Sequence, residues 1–341
     1  MTKVTKRNIN IFLQILILIG AYGYLAWKLF IAPSTRLTAQ NISQLFHISN
    51  FWLVISIVLL LMLVNWSIEA AKWKYLISKI EEVSFPLALK AIFTGVTVSI
   101  FTPNRVGEFF GRVFLLKNRQ PMRGILITIL GSFSQIVIYM ICGITGGIIM
   151  FYLFLLPQNP SLTKLQWIII SLAVIILAVT ILIFLNISFL GSILQNLIPK
   201  QWHRIKRWFA VLSYYSKREL TKVLIMSFLR YCVFSFQYII LLRMFNVPLS
   251  VGNLLVALMV IFALLVIIPS VALSELGVRS TVAVFVIGMM LPVGLRNDPM
   301  VNLGIIGAAS TLWLINVALP AIIGSFFVFK LKFFKGNGPK S

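Results

Sequence analysis

Two short stretches place ionisable side chains at helical spacing inside an otherwise lipid-soluble chain. Residues 101–112 read Phe-Thr-Pro-Asn-Arg-Val-Gly-Glu-Phe-Phe-Gly-Arg and carry Arg105, Glu108 and Arg112. Residues 269–279 read Pro-Ser-Val-Ala-Leu-Ser-Glu-Leu-Gly-Val-Arg and carry Glu275 and Arg279. In each, a proline (Pro103, Pro269) interrupts an apolar run, and a Glu then precedes an Arg by four positions. That spacing puts the pair on one helix face, one turn apart. An ionisable group at bilayer depth costs roughly 2.5–3.5 kcal/mol even on a lenient scale, so these groups, unpaired, would together cost more than about 10 kcal/mol. They must be paired, hydrated or both, and they must face protein or water.

Two chemistries suit the first motif. Glu108 and Arg112 can be an ion pair that staples a helix start. Alternatively, Arg105 and Arg112 hold a phosphate in a water-lined cleft, because a guanidinium donates two parallel hydrogen bonds and stays charged when desolvated. Gly107 and Gly111 would then permit close backbone approach. The start of the motif helix would add its dipole and free amides. Glu108 would orient Arg112 or meet a cationic headgroup. Glu275 and Arg279 invite the same two readings, with Gly277 relieving crowding.

The elements that position these residues must cross a membrane. Sixty per cent of the 341 residues are hydrophobic, and the mean hydropathy is +1.00. Several apolar runs reach the ~20 residues needed to span a hydrocarbon core. Thirty Lys and Arg stand against seven Asp and Glu. In this setting that excess marks cytoplasmic loops and attraction to an anionic membrane surface, not nucleic acid.

Full spans are expected at residues 9–30, 51–68, 125–156, 165–190, 223–242 and 303–329. The first is read as an uncleaved anchor, and both termini as cytoplasmic. Lys72, Lys74 and Lys79 are read as an inside loop, with Trp66, Trp73 and Tyr75 as interfacial anchors. Residues 87–101 are short for a span, and a proline breaks the apolar run in both 87–118 and 251–295. Both stretches are expected to be re-entrant helical hairpins of opposite orientation, one opening inside and one outside. That pattern points to an inverted-repeat transporter with its site near the midplane. The competing count makes each hairpin arm a full span. Gly143 and Gly147 offer a small-residue packing face. The basic stretch 195–222, with Trp202, Trp208, Tyr214 and Tyr215 interleaved, is expected to be an amphipathic helix on the headgroups. Asn65, Gln135, Gln237 and Asn316 fit interhelical hydrogen-bond glue or a substrate path.

The fold class is therefore an all-α integral membrane protein of about six spans and two hairpins, forming one transmembrane domain over residues 1–341. Signs of catalysis are poor. His47 and His203 are far apart, so no metal site is expected, and there is no phosphate-cradling or nucleophile motif. Glu108 and Glu275 are taken as the only deep carboxylates. Cys142 and Cys232 lie in apolar runs and imply no disulfide framework.

At these residues the chain resembles the lysylphosphatidylglycerol synthase transmembrane-region family, also called flippase-like domain proteins. The stretch from Thr102 to Glu108, with Arg112 and Leu115-Leu116, resembles the family's first signature. Residues 269–279 resemble the second, usually a proline, a glycine pair and then Gly-x-Arg-Glu. Here Ser274 and Glu275 occupy the glycine-rich positions, and Ser280 stands where Glu is expected. The resemblance implies movement of a phospholipid or lipid-linked headgroup, such as aminoacyl-phosphatidylglycerol, between leaflets. It also implies no synthase activity where the soluble aminoacyltransferase domain is lacking.

The leading expectation is thus a flippase of the inner cell membrane, without cofactor or catalytic residues. Arg105, Arg112 and Arg279 hold phosphate; Glu108 and Glu275 tune them and take a cationic headgroup or a proton. The alternatives are a polytopic transferase with Glu108 or Glu275 as base, and a non-transporting membrane partner. Homo-oligomerisation is left open.

Overall fold

A computed structural model of the chain describes Phe12 and residues 50–100, 102, 105–117, 120–268, 275–296 and 298–328. The expected first span apart from Phe12, the N-terminal and C-terminal basic clusters, His47, Pro103, Pro269 and Ser274 lie outside these residues. Helices α1 to α12 are Phe51–Ile77, Phe85–Ser99, Gly107–Val113, Pro121–Met150, Gln166–Leu185, Ile187–Leu197, His203–Phe209, Lys217–Met244, Val251–Ile267, Glu275–Met290, Pro299–Trp313 and Leu319–Val328. There is no strand among the described residues.

The protein is an all-α membrane protein. Among the described residues five helical stretches are long and apolar enough to cross a bilayer: Phe51–Ile77, Pro121–Gln158, Gln166–Leu185, Lys217–Met244 and Met300–Val328. They coincide with the five expected spans that fall among the described residues. Helix α5 leaves nearly its whole circumference exposed, including Trp167, Leu172, Ile175 and Leu182. An all-round apolar helix with so little protein cover suits contact with lipid tails.

Helices α2 and α3 form a tight hairpin. A Cβ on Gly111 would lie 2.7 Å from Gly95 Cα, and one on Gly107 would lie 2.6 Å from the Val98 carbonyl oxygen. As residue numbers rise on one helix they fall on the other, so the pair is antiparallel. The 15 residues of α2 extend about 22 Å at 1.5 Å per residue, short of the ~30 Å hydrocarbon thickness. The hairpin docks on α12, where Thr97 Oγ1 donates to the Ala321 carbonyl at 2.8 Å and a Cβ on Gly324 would meet the Phe93 carbonyl oxygen at 2.1 Å. Helices α9 and α10 pack against each other, and α9 also lies along α4.

Several expectations need correction. Helix α1 does not end at residue 68 but runs to Ile77, so Lys72 and Lys74 are on the helix and not in a loop. Trp66 and Trp73 are buried in the core; Trp73 Nε1 donates to Thr128 Oγ1 at 3.0 Å. The aromatic-anchor rule fails here because these rings face neighbouring helices. The basic stretch 195–222 is not one amphipathic helix. It is divided among the end of α6, short α7, two 3₁₀ turns and the start of α8. Tyr215 in that stretch is buried, its hydroxyl donating to the Leu76 carbonyl at 2.8 Å. Gly143 meets Ala263 and Met259 as a packing position should, but its partner is Gly146. Gly147 has nothing within 4 Å of a notional Cβ.

Candidate functional site

The first motif is built as its spacing requires. In α3, Glu108 and Arg112 are one turn apart and ion-paired. Arg112 Nη1 also reaches Glu69 Oε1 of α1 at 2.9 Å. Glu69 Oε2 in turn holds Lys72 Nζ at 2.9 Å and Arg230 Nη1 of α8 at 3.1 Å. One carboxylate therefore gathers three cations from three helices. Glu69 and Arg112 are each 2% exposed and Lys72 1%. Lys72 Nζ completes its shell with the Gly131 carbonyl and Ser227 Oγ, both at 3.2 Å. This agrees with the rule that a buried charge survives only when paired and hydrogen-bonded.

Arg230 extends the network. Its Nε donates to Asn65 Oδ1 at 3.1 Å, its guanidinium lies 5.1 Å from the Trp66 ring centroid, and Asn65 Nδ2 donates to Asn316 Oδ1 at 3.3 Å. Asn316 sits in a π-helical turn, Leu314–Ala318, between α11 and α12. Such turns widen a helix locally and commonly occur at functional sites. Gln135 Nε2 donates to the Ser227 carbonyl at 3.3 Å, and Gln237 Nε2 to the Val58 carbonyl at 2.8 Å. All four mid-span amides therefore act as glue, and Asn65, Gln135 and Asn316 also line the cavity described next.

That cavity has a volume of about 320 Å³. It brings together Arg105, Glu108 and Arg112 of the first motif, Arg279 of the second, and Glu69, Lys72 and Arg230. Tyr139, Phe234, Tyr238 and Phe262 give it an aromatic wall, and Phe262 contacts each of the other three rings with centroids 5.4–6.3 Å apart. The two motifs, far apart in sequence, thus face one space. Glu275 is not in the wall; it sits behind Arg279, accepting from Arg279 Nη2 at 2.7 Å and Nε at 3.1 Å.

Arg105 differs from the other motif arginine. Its backbone adopts a left-handed conformation with φ 58°, which costs a non-glycine residue roughly 1–3 kcal/mol and recurs at functional sites. Its Nη2 is buried without a hydrogen-bond partner. Gly107 serves close approach, though toward the facing helix. Its amide is not free for a ligand, since Thr102 Oγ1 accepts it at 2.7 Å. Gly277 lies half-buried in the first turn of α10.

Sequence reasoning missed Glu69, Lys72 and Arg230, and the view that Glu108 and Glu275 are the only deep carboxylates is wrong. The signal for Arg230 was present: a lone arginine within the apolar run 223–242 is a site candidate by default. Glu69 and Lys72 were masked by ending the span one residue before the acid.

A family model described as the Lysylphosphatidylglycerol synthase TM region matches residues 11–318. The chain belongs to that family. The match takes in both motifs and every residue of the charged cluster. Neither the curated proteins nor the solved structures contain a significant match to the chain. Family membership makes the cavity part of a membrane domain related to lipid modification or lipid flipping.

Proposed function

We propose that this protein carries the headgroup of a phospholipid or lipid-linked substrate between leaflets, leaving the substrate chemically unchanged. The observation that carries the reading is the polar cavity at which both charged motifs meet inside a bundle of membrane-crossing helices. Its volume lies within the range of small-ligand sites. A headgroup crosses hydrocarbon cheaply only if its hydration is replaced, and convergent arginine donors can replace it while the acyl tails stay in lipid.

On this reading α2–α3 and α9–α10 are re-entrant hairpins that enter from opposite faces and meet near the midplane. The dense basic clusters then lie on the cytoplasmic side of the cell membrane with both termini. Arg105, Arg112 and Arg279 contact the substrate, Glu108 and Glu275 orient them, and Glu69, itself in the cavity wall, positions Arg112 and Arg230.

The test is leaflet exchange of headgroup-labelled lipids in proteoliposomes. Wild-type protein is expected to accelerate exchange over empty vesicles. Arg105→Ala and Arg279→Ala are expected to lower it at least about tenfold, the equivalent of one charge-assisted hydrogen bond each. Exchange unaffected by both substitutions would reject the reading.

A further inference from the structure

The cavity carries a charge and donor imbalance that names its ligand more narrowly. Among the described residues five cations line it, Lys72, Arg105, Arg112, Arg230 and Arg279, against the carboxylates of Glu69 and Glu108. Counting Glu275 behind Arg279, cations still exceed acids by two. The carboxylates are engaged. Both oxygens of Glu69 are held by protein cations, and Glu108 and Glu275 are each held by an arginine four residues on.

The buried polar atoms without partners point the same way. Among cavity-lining residues these are Trp66 Nε1, Trp313 Nε1, Arg105 Nη2, Arg112 Nε and Gln135 Oε1. Four of the five are donors that cannot accept. A buried donor left unsatisfied is costly, and an acceptor-rich ligand relieves it. A phosphate diester offers unprotonated oxygens and a negative charge. An ammonium group offers only donors and would meet a surplus of like charge.

We infer that the cavity selects a net-anionic phosphate headgroup and disfavours a cationic, aminoacylated one, with Arg105 and the indole N–H groups of Trp66 and Trp313 completing the phosphate's shell. This rests on the proposed transport reading for its setting, but it is a statement about binding. The lysyl ester of phosphatidylglycerol carries two ammonium groups on one phosphate and is net cationic. It is therefore the wrong charge for this chain. Gln135 Oε1, the orphaned acceptor among the described lining residues, suits a hydroxyl donor beside the phosphate.

Equilibrium binding to the full chain in neutral detergent tests it, with three short-chain lipids of identical tails: phosphatidylglycerol, phosphatidylcholine and lysyl-phosphatidylglycerol. Phosphatidylglycerol is expected to bind at least about tenfold tighter than phosphatidylcholine, with the lysyl lipid weakest. Arg105→Gln is expected to weaken phosphatidylglycerol roughly tenfold or more, with Arg105→Lys recovering part of the loss. Trp313→Phe, which removes the donor and keeps an aromatic six-membered ring, is expected to cost a few-fold, on the order of a neutral hydrogen bond. Neither residue takes part in a salt bridge among the described residues, and thermal unfolding of each variant checks its fold before binding is read.

Inorganic phosphate is added as competitor. Displacement of the lipid assigns recognition to phosphate itself, and no displacement assigns it to the whole lipid headgroup; either supports anion selection. Lysyl-phosphatidylglycerol binding as tightly as phosphatidylglycerol, or an unchanged Arg105→Gln, overturns it. Charge-selective binding without leaflet exchange would sink the transport reading alone. Exchange with no charge preference would sink this inference alone.

Discussion

Replacing Glu69 by Gln should be the most damaging conservative change in the charged cluster. The substitution keeps size and one acceptor oxygen but removes the charge shared by Lys72, Arg112 and Arg230, all within 3.1 Å. Arg112 retains Glu108; Lys72 would keep neutral acceptors, among them the Gly131 carbonyl and Ser227, but lose the carboxylate that pairs it. A unit charge pair at ~4 Å is worth about 4 kcal/mol at an effective dielectric of 20. Removing one partner of a buried pair costs about 3–5 kcal/mol in practice. Three attractions are lost here, but the cations also repel one another and Arg112 keeps a partner, so the expected loss is about 3–5 kcal/mol. Domains are commonly stable by only about 5–15 kcal/mol.

The assay is thermal unfolding of purified protein in detergent or nanodiscs, and Tm should fall by about 4–7 °C. The decisive control is Glu69→Gln combined with Lys72→Met, which removes the stranded ammonium and leaves a similar apolar volume. Ser227 stays bonded to Ser134, so Lys72→Met orphans no buried hydroxyl. The double variant should recover half or more of the loss, a coupling of about 2 kcal/mol. A single variant within about 2 °C of wild type, or a double variant less stable than the single, would refute the picture of one carboxylate neutralising three buried cations.

Other outcomes follow from the packing. Gly111→Ala should splay the α2–α3 hairpin, because the new methyl meets the Gly95 backbone at 2.7 and 3.0 Å; a loss of about 1–3 kcal/mol in thermal stability is expected. Gly147→Ala meets nothing within 4 Å and should be neutral or stabilise by up to about 1 kcal/mol in the same measurement. Lys79→Ala breaks a partly exposed pair with Glu219 and should shift stability by less than about 1 kcal/mol, with the difference shrinking as salt is added. If α2–α3 is re-entrant, Lys90→Cys and Lys117→Cys should react with an impermeant thiol reagent from the same side of the membrane; labelling from opposite sides would make α2 and its continuation a full crossing.

Much of the architecture was legible because lipid imposes a simple rule. A backbone in hydrocarbon must satisfy its own hydrogen bonds, so apolar runs of sufficient length become helices whatever surrounds them. That rule placed the described spans and marked residues 87–118 and 251–295 as broken elements. The Glu108–Arg112 and Glu275–Arg279 pairs were equally readable, since helical periodicity alone puts residues four apart on one face.

The amino-acid sequence by itself determined that this chain crosses a membrane many times and that its few carboxylates must meet cations. Which carboxylate meets which cation was decided only by tertiary structure. Glu69 stands 43 positions before Arg112 and 161 before Arg230, and local spacing carries no information about such meetings. Trp66 and Trp73 likewise read as interfacial until packing buried them. Hydropathy measures a residue's cost in lipid, whereas the side chains here are solvated by one another across helix interfaces. Their partnership in one cavity is a property of how the helices pack, which no single helix contains.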